Sequence, residues 1–184
     1  MALRIGIERI GKKLSGKEKE LDAVLAENRI VVRACSNAIK ALHAYNLPEA
    51  KKSLADAEKG LAKIAKYHDH FPGQLDHVYQ EYAEARIVLS AIESRKIPSL
   101  DELKVPDVPY LNGLLDAIGE LKREMYESLR RGKKREAGEY FKMMEEIYDE
   151  LLPLRFSNAI LPEFRRKQDV GRMQIEQARG ELLP

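Results

Sequence analysis

Apolar residues recur three and four positions apart nearly throughout this chain, which is the period of an α-helix buried on one side. Runs of β-branched residues are few, while Ala, Leu, Glu, Lys and Arg are abundant. Breaks fall at short punctuated stretches: Asn46-Leu47-Pro48, Phe71-Pro72-Gly73, Ile97 to Pro106, Gly132, and Pro153. The pattern predicts an all-α antiparallel bundle of about six or seven helices in a single domain spanning residues 1–184. The expected helices cover about residues 3–45, Asn46 to Lys66, 74–94, Pro109 to Arg131, 134–152, and Pro162 to Gly180. Asn46 reads as a cap, Ser99 and Glu102 as a capping box, and Gly132 as a left-handed stop.

The first helix carries an apolar line through Leu21, Val24, Leu25, Val31, Val32, Ala38, Ile39 and Leu42. Unbroken, it would be roughly 60 Å long. A globule of this size has a radius of gyration of about 16 Å. Part of the helix therefore needs cover from elsewhere, which favours self-association; a break at Ser15-Gly16 would weaken that inference.

The chain is 44% hydrophobic and 34% charged, a soluble composition. Its apolar runs fall short of the ~18 residues of a membrane span. The first residues alternate apolar and charged, so no secretory leader is expected. One cysteine, Cys35, suits a reducing, cytoplasmic setting and a packing role. The net charge is +2, so nucleic-acid binding would have to use a local patch. Basic clusters lie at Arg130 to Arg135 and Arg165 to Lys167, where solvated helix ends are the simpler reading.

Two acidic pairs stand out. In YQEYAEARIVLSAI, Glu81 and Glu84 are set into the edge of a stripe formed by Leu75, Val78, Tyr82, Ala85, Leu89 and Ile92. At 100° per residue, Glu81 falls roughly 60° from the stripe and Glu84 roughly 60° further round. In YLNGLLDAIGELKREMYESL, Asp116 and Glu120 lie off the Leu111, Leu114, Leu115, Ile118, Leu121, Met125 stripe. Gly113 and Gly119 beside them each cost about 1 kcal/mol in a helix, and clearing space for something close to the backbone is one reason for them. Four carboxylates from two helices could hold an oxygen-coordinated Mg²⁺ or Mn²⁺. On spacing alone the simpler reading is a solvated face paired with basic neighbours such as Arg86 and Lys122. His68 and His70 read as a frayed helix end, and His43 as a satisfied, half-buried histidine.

The segments at Tyr79 to Ala85 (YQEYAEA) and Tyr110 to Leu121 (YLNGLLDAIGEL) resemble the translin family, and within it the translin-associated factor X branch. Arg29, the Ile39…Leu42-His43 end and the Leu161 to Gly180 segment are similar to that family as well. The resemblance implies a metal-dependent endoribonuclease, with Glu81, Glu84, Asp116 and Glu120 as metal ligands and catalytic groups for Mg²⁺ or Mn²⁺. It implies RNA and single-stranded DNA as partners and a closed homo-oligomer, an octamer or hexamer. The other reading is a non-catalytic, translin-like protein that binds RNA or single-stranded DNA. Arg29, Arg33 and Lys40, on one side of the first helix, are candidate phosphate contacts, or simply form ion pairs within it.

Overall fold

The computed structural model describes residues 6–182. Among them lie seven α-helices: α1 Ile7–His43, α2 Leu47–Ile64, α3 Pro72–Ser94, the single turn α4 Leu100–Leu103, α5 Asp107–Arg130, α6 Lys134–Leu151 and α7 Phe164–Leu182. The expected all-helical bundle is what forms. α1 packs on α2 and α3, α3 on α5, and α5 on both α6 and α7. α3 and α5 thus make the spine. No helix among the described residues is long and apolar enough to cross a membrane.

The local signals act as expected. The Asn46 side chain accepts from Glu49 N, capping α2 with Pro48 in its first turn. Ser99 and Glu102 exchange side-chain and backbone bonds in a full capping box. Gly132, at φ +73°, closes α5: Gly132 N donates to Leu129 O and Lys133 N to Ser128 O. That pair of hydrogen bonds is the Schellman stop, which favours a left-handed residue at this position.

Three expectations are corrected. Pro72 and Gly73 begin α3 rather than precede it, because proline suits a helix's first turn. α7 starts at Phe164, two residues after Pro162. Glu163 there takes a left-handed φ of +60° and donates its N–H to Asn158 Oδ1, which holds Pro162 outside the helix. Leu25, placed on the α1 core line, is exposed, whereas Val24, Val31, Ala38 and Leu42 are buried. Residues 3–5, the start of the first expected helix, lie outside the described residues.

α1 is continuous through Ser15 and Gly16, and every residue from Ile7 to Lys19 is exposed. Ile7, Ile10 and Leu14 share one face of this stretch at 61%, 50% and 59% exposure. α3 is buried nearly all round. Besides Leu75, Val78, Tyr82 and Ala85, it buries Tyr79, Ala83, Ile87, Val88 and Ala91, while Leu89 and Ile92 are only partly covered. It sits between α1 on one side and α5 on the other.

Candidate metal and nucleic-acid site

The close approach of α3 and α5 sets the site. A Cβ at Gly113 would stand 2.9 Å from Ala83 Cβ, 3.1 Å from Gln80 O and 3.2 Å from Glu84 N. Two of those atoms are backbone, so only glycine lets the helices meet here. Gly119, further along α5 by about 1.7 turns, leaves room for the α7 side chain of Gln174. The two glycines therefore bring α3 and α7 onto the acidic face of α5.

Glu81, Glu84, Asp116 and Glu120 line one cavity of about 360 Å³, together with Leu115, Gly119, Arg166, Lys167, Val170 and Gln174. The two sequence pairs are thus brought together. Glu84, expected further from cover than Glu81, is half-buried beside α5. Burial, then the charges of Asp116, Glu81 and Glu120, push the Glu84 carboxyl up to about 8, with Lys167 opposing.

The partners of these carboxylates are not Arg86 and Lys122, which turn to Tyr82 and Gln177. Lys167 Nζ lies 2.5 Å from each oxygen of Asp116, and Gln80 Nε2 donates to Asp116 Oδ2 at 2.7 Å. His43 reaches across from α1: its Nε2 lies 2.5 Å from Glu120 Oε2 and its Nδ1 2.5 Å from Glu124 Oε1. Burial works against charge on His43, yet the two carboxylates outweigh it and raise its pKa to about 9. The imidazolium then donates from both nitrogens. The hydrogen bond from His43 holds Glu120 below the usual carboxylate range. Glu124 is fully buried, and its Oε2 has no partner among the described residues. His43 is satisfied, as its position in the sequence implied, but its partners lie 77 and 81 residues away.

As the side chains lie, no three His, Cys, Asp or Glu residues among the described ones converge closely enough to hold a metal ion. Lys167 and Gln80 engage Asp116, and His43 engages Glu120. The donor set itself is all carboxylate oxygen, the chemistry that hard divalent ions take. That donor chemistry suits Mg²⁺ or Mn²⁺. Cys35, packed behind α3, is not a competing ligand: burial, with Glu81 and Glu84 near, pushes its thiol up to about 12. His68 and His70 separate, pairing with Asp76 and Glu20 in turn.

Arg29, Arg33 and Lys40 are exposed on α1, and none forms an ion pair among the described residues. At 100° per residue they lie roughly 40–80° around the helix from His43, on the side from which it grips Glu120. The other basic cluster is largely spent. Arg130, Lys133 and Arg135 pair with Glu127, Glu136 and Glu139, while Arg131 stacks over the Tyr45 ring.

The sequence pattern described as the Translin family matches residues 6–178, and the chain belongs to that family. It is 30% identical over 175 residues to an uncharacterized protein of Methanocaldococcus jannaschii, covering 92% of this chain and 78% of that one. Among solved structures, a complex of AfC3PO with duplex RNA superposes with a TM-score of 0.89 at 28% identity, over 96% of this chain and 94% of that one. A crystal structure of AfC3PO gives 0.86 at 27%, with the same coverage of both chains. Apo-NeC3PO, at 20% identity, shares the fold with a TM-score of 0.88, over 99% of this chain and 98% of that one.

Proposed function

We propose that this protein is a divalent-cation-dependent endoribonuclease. The observation that carries the reading is the crowding of four carboxyl groups from two helices around one cavity, where burial and then the neighbouring charges raise Glu84 well above the usual carboxylate range. Glu81, Glu84, Asp116 and Glu120 would hold Mg²⁺ or Mn²⁺, whose chemistry when bound is to activate water and offset the charge of a phosphodiester under in-line attack. His43 keeps Glu120 ionised and oriented toward the cavity. Arg166, at the cavity wall, and the α1 stripe of Arg29, Arg33 and Lys40 supply positive charge along the path a nucleic-acid backbone would take.

RNA is the substrate class supported by the likeness to AfC3PO, which has been solved with duplex RNA. Single-stranded regions are the favoured cutting sites, since an unpaired strand can rotate its phosphodiester into line with the attacking oxygen. A closed homo-oligomer, hexamer or octamer, would cover the exposed Ile7, Ile10 and Leu14 face and gather several copies of a small basic patch around one lumen.

Incubating labelled RNA with the protein in Mg²⁺, Mn²⁺ or EDTA tests the reading. Internal cutting in Mg²⁺ or Mn²⁺ that stops in EDTA is expected. Binding without cutting under every condition would make the protein a translin-like RNA or single-stranded DNA binder instead. Replacing Arg29, Arg33 and Lys40 together by alanine should weaken RNA binding and make the slope of log K against log salt shallower by about 2. An unchanged slope would remove the stripe from the interface.

A further inference from the structure

We propose that Lys167 is the internal counter-cation of the carboxylate cavity: it occupies Asp116 until a divalent cation enters, and then turns to a phosphate oxygen of the RNA. The inference rests on the function proposed above and adds a residue to it.

Lys167 is placed for an exchange. Its side chain is 15% exposed, and lysine is rarely so covered unless it is paired. Its ammonium meets both oxygens of Asp116, while Gln80 takes a further lone pair on Oδ2. So engaged, Asp116 cannot join Glu84 and Glu81 around a shared ion. The cavity nonetheless holds three further carboxyl groups, Glu81, Glu84 and Glu120, of which Glu120 has His43 as its own partner. A divalent ion offers the acidic set more charge than Lys167 does, and it can bridge several carboxylates at once.

The backbone under Lys167 has no need to move. Phe164 and Gln168, on either side of it, are buried, and Gln168 is bonded to Leu151 O and to Arg155. Gly171 seats α7 against Ile118 and Leu115 of α5. Only the flexible four-carbon stem turns, carrying a compact charge that needs no fixed geometry. Arg166, in an exposed i,i+3 pair with Glu163, lines the same cavity, so the released ammonium stays beside a second cation.

Calorimetric titration of Mn²⁺ into RNA-free protein tests this directly, with wild type, Lys167→Met and Lys167→Arg compared after circular dichroism has checked their helicity. Lys167→Met should bind Mn²⁺ about tenfold more tightly, because no competing state holds Asp116. Its KM for a short RNA should rise about tenfold through the lost charge-assisted contact. Lys167→Arg, whose planar fork grips a carboxylate in two places, should bind Mn²⁺ more weakly than wild type. Equal or weaker Mn²⁺ binding by a folded Lys167→Met overturns the role of Lys167 alone. If that variant does not fold, equal or tighter binding by Lys167→Arg overturns it. Absence of Mn²⁺ binding in all three proteins overturns the metal site together with it.

Discussion

Replacing Glu84 with glutamine is expected to lower RNA cleavage by two to three orders of magnitude, on the scale of losing one preorganised charge-stabilising group. RNA affinity should stay within severalfold, because the α1 stripe is untouched. The same change should stabilise the protein in EDTA. Glu84 is pushed up to about 8 from an ordinary 4.5 by burial and three like charges. A carboxyl raised in the folded state costs nothing below pH 4.5, and its penalty grows as pH climbs toward 8. The amide never ionises, so the gain of Glu84→Gln over wild type should be near zero at pH 4.5. It should reach about 2 kcal/mol by pH 8, allowing for solvent at the cavity mouth, or about 4–8 °C in Tm. Melting curves in EDTA across that range read it out. A variant that cuts RNA normally, or melts lower than wild type at pH 8, would contradict the assignment.

The largest loss of stability should follow His43→Ala. Glu124 is 0% exposed and bonded to His43 Nδ1, and its other oxygen is already unpartnered. Removing the imidazolium strands a buried carboxylate, which costs about 3–5 kcal/mol. For a chain of this size Tm should fall by about 10 °C. Glu124→Leu introduced beside His43→Ala should recover much of the fall, since no buried charge then remains. Cleavage should drop about 10–100-fold, because Glu120 loses the partner that orients it. The pH dependence has a definite sign. His43 is raised from 6.5 to about 9, so its contribution is complete below pH 6.5 and disappears as pH rises through 9. The wild type in EDTA should lose stability over that window, and His43→Ala should lose less.

Much of the fold was written in local signals. The 3.6-residue period, the Asn46 cap, the Ser99–Glu102 box and the Gly132 stop each act through neighbours within a few residues, and each formed. α3 was harder. A helix enclosed by α1 and α5 buries Tyr79, Ala83, Ile87 and Ala91 as well as its main stripe, so a single apolar stripe understates its cover. The start of α7 depends on a side chain five residues upstream of Glu163, which no period records.

For the site, spacing showed two acidic pairs and two costly glycines but not that the pairs face one cavity. Gly113 explains why they do: it is the point where α5 touches the backbone of α3. The partners were hidden by distance along the chain. Lys167 lies 51 residues from Asp116 and sat in a basic run that read as a solvated helix end. His43 was recognised as satisfied, yet nothing near it in sequence named Glu120 and Glu124.

The central claim is that four carboxylates of α3 and α5 share a divalent cation. Anomalous diffraction from crystals soaked in Mn²⁺ tests it most directly. A manganese peak is expected inside the cavity, ligated by Glu81, Glu84, Asp116 and Glu120, with the Lys167 ammonium moved off Asp116. A cavity without manganese, with Lys167 still on Asp116 at millimolar Mn²⁺, would contradict it.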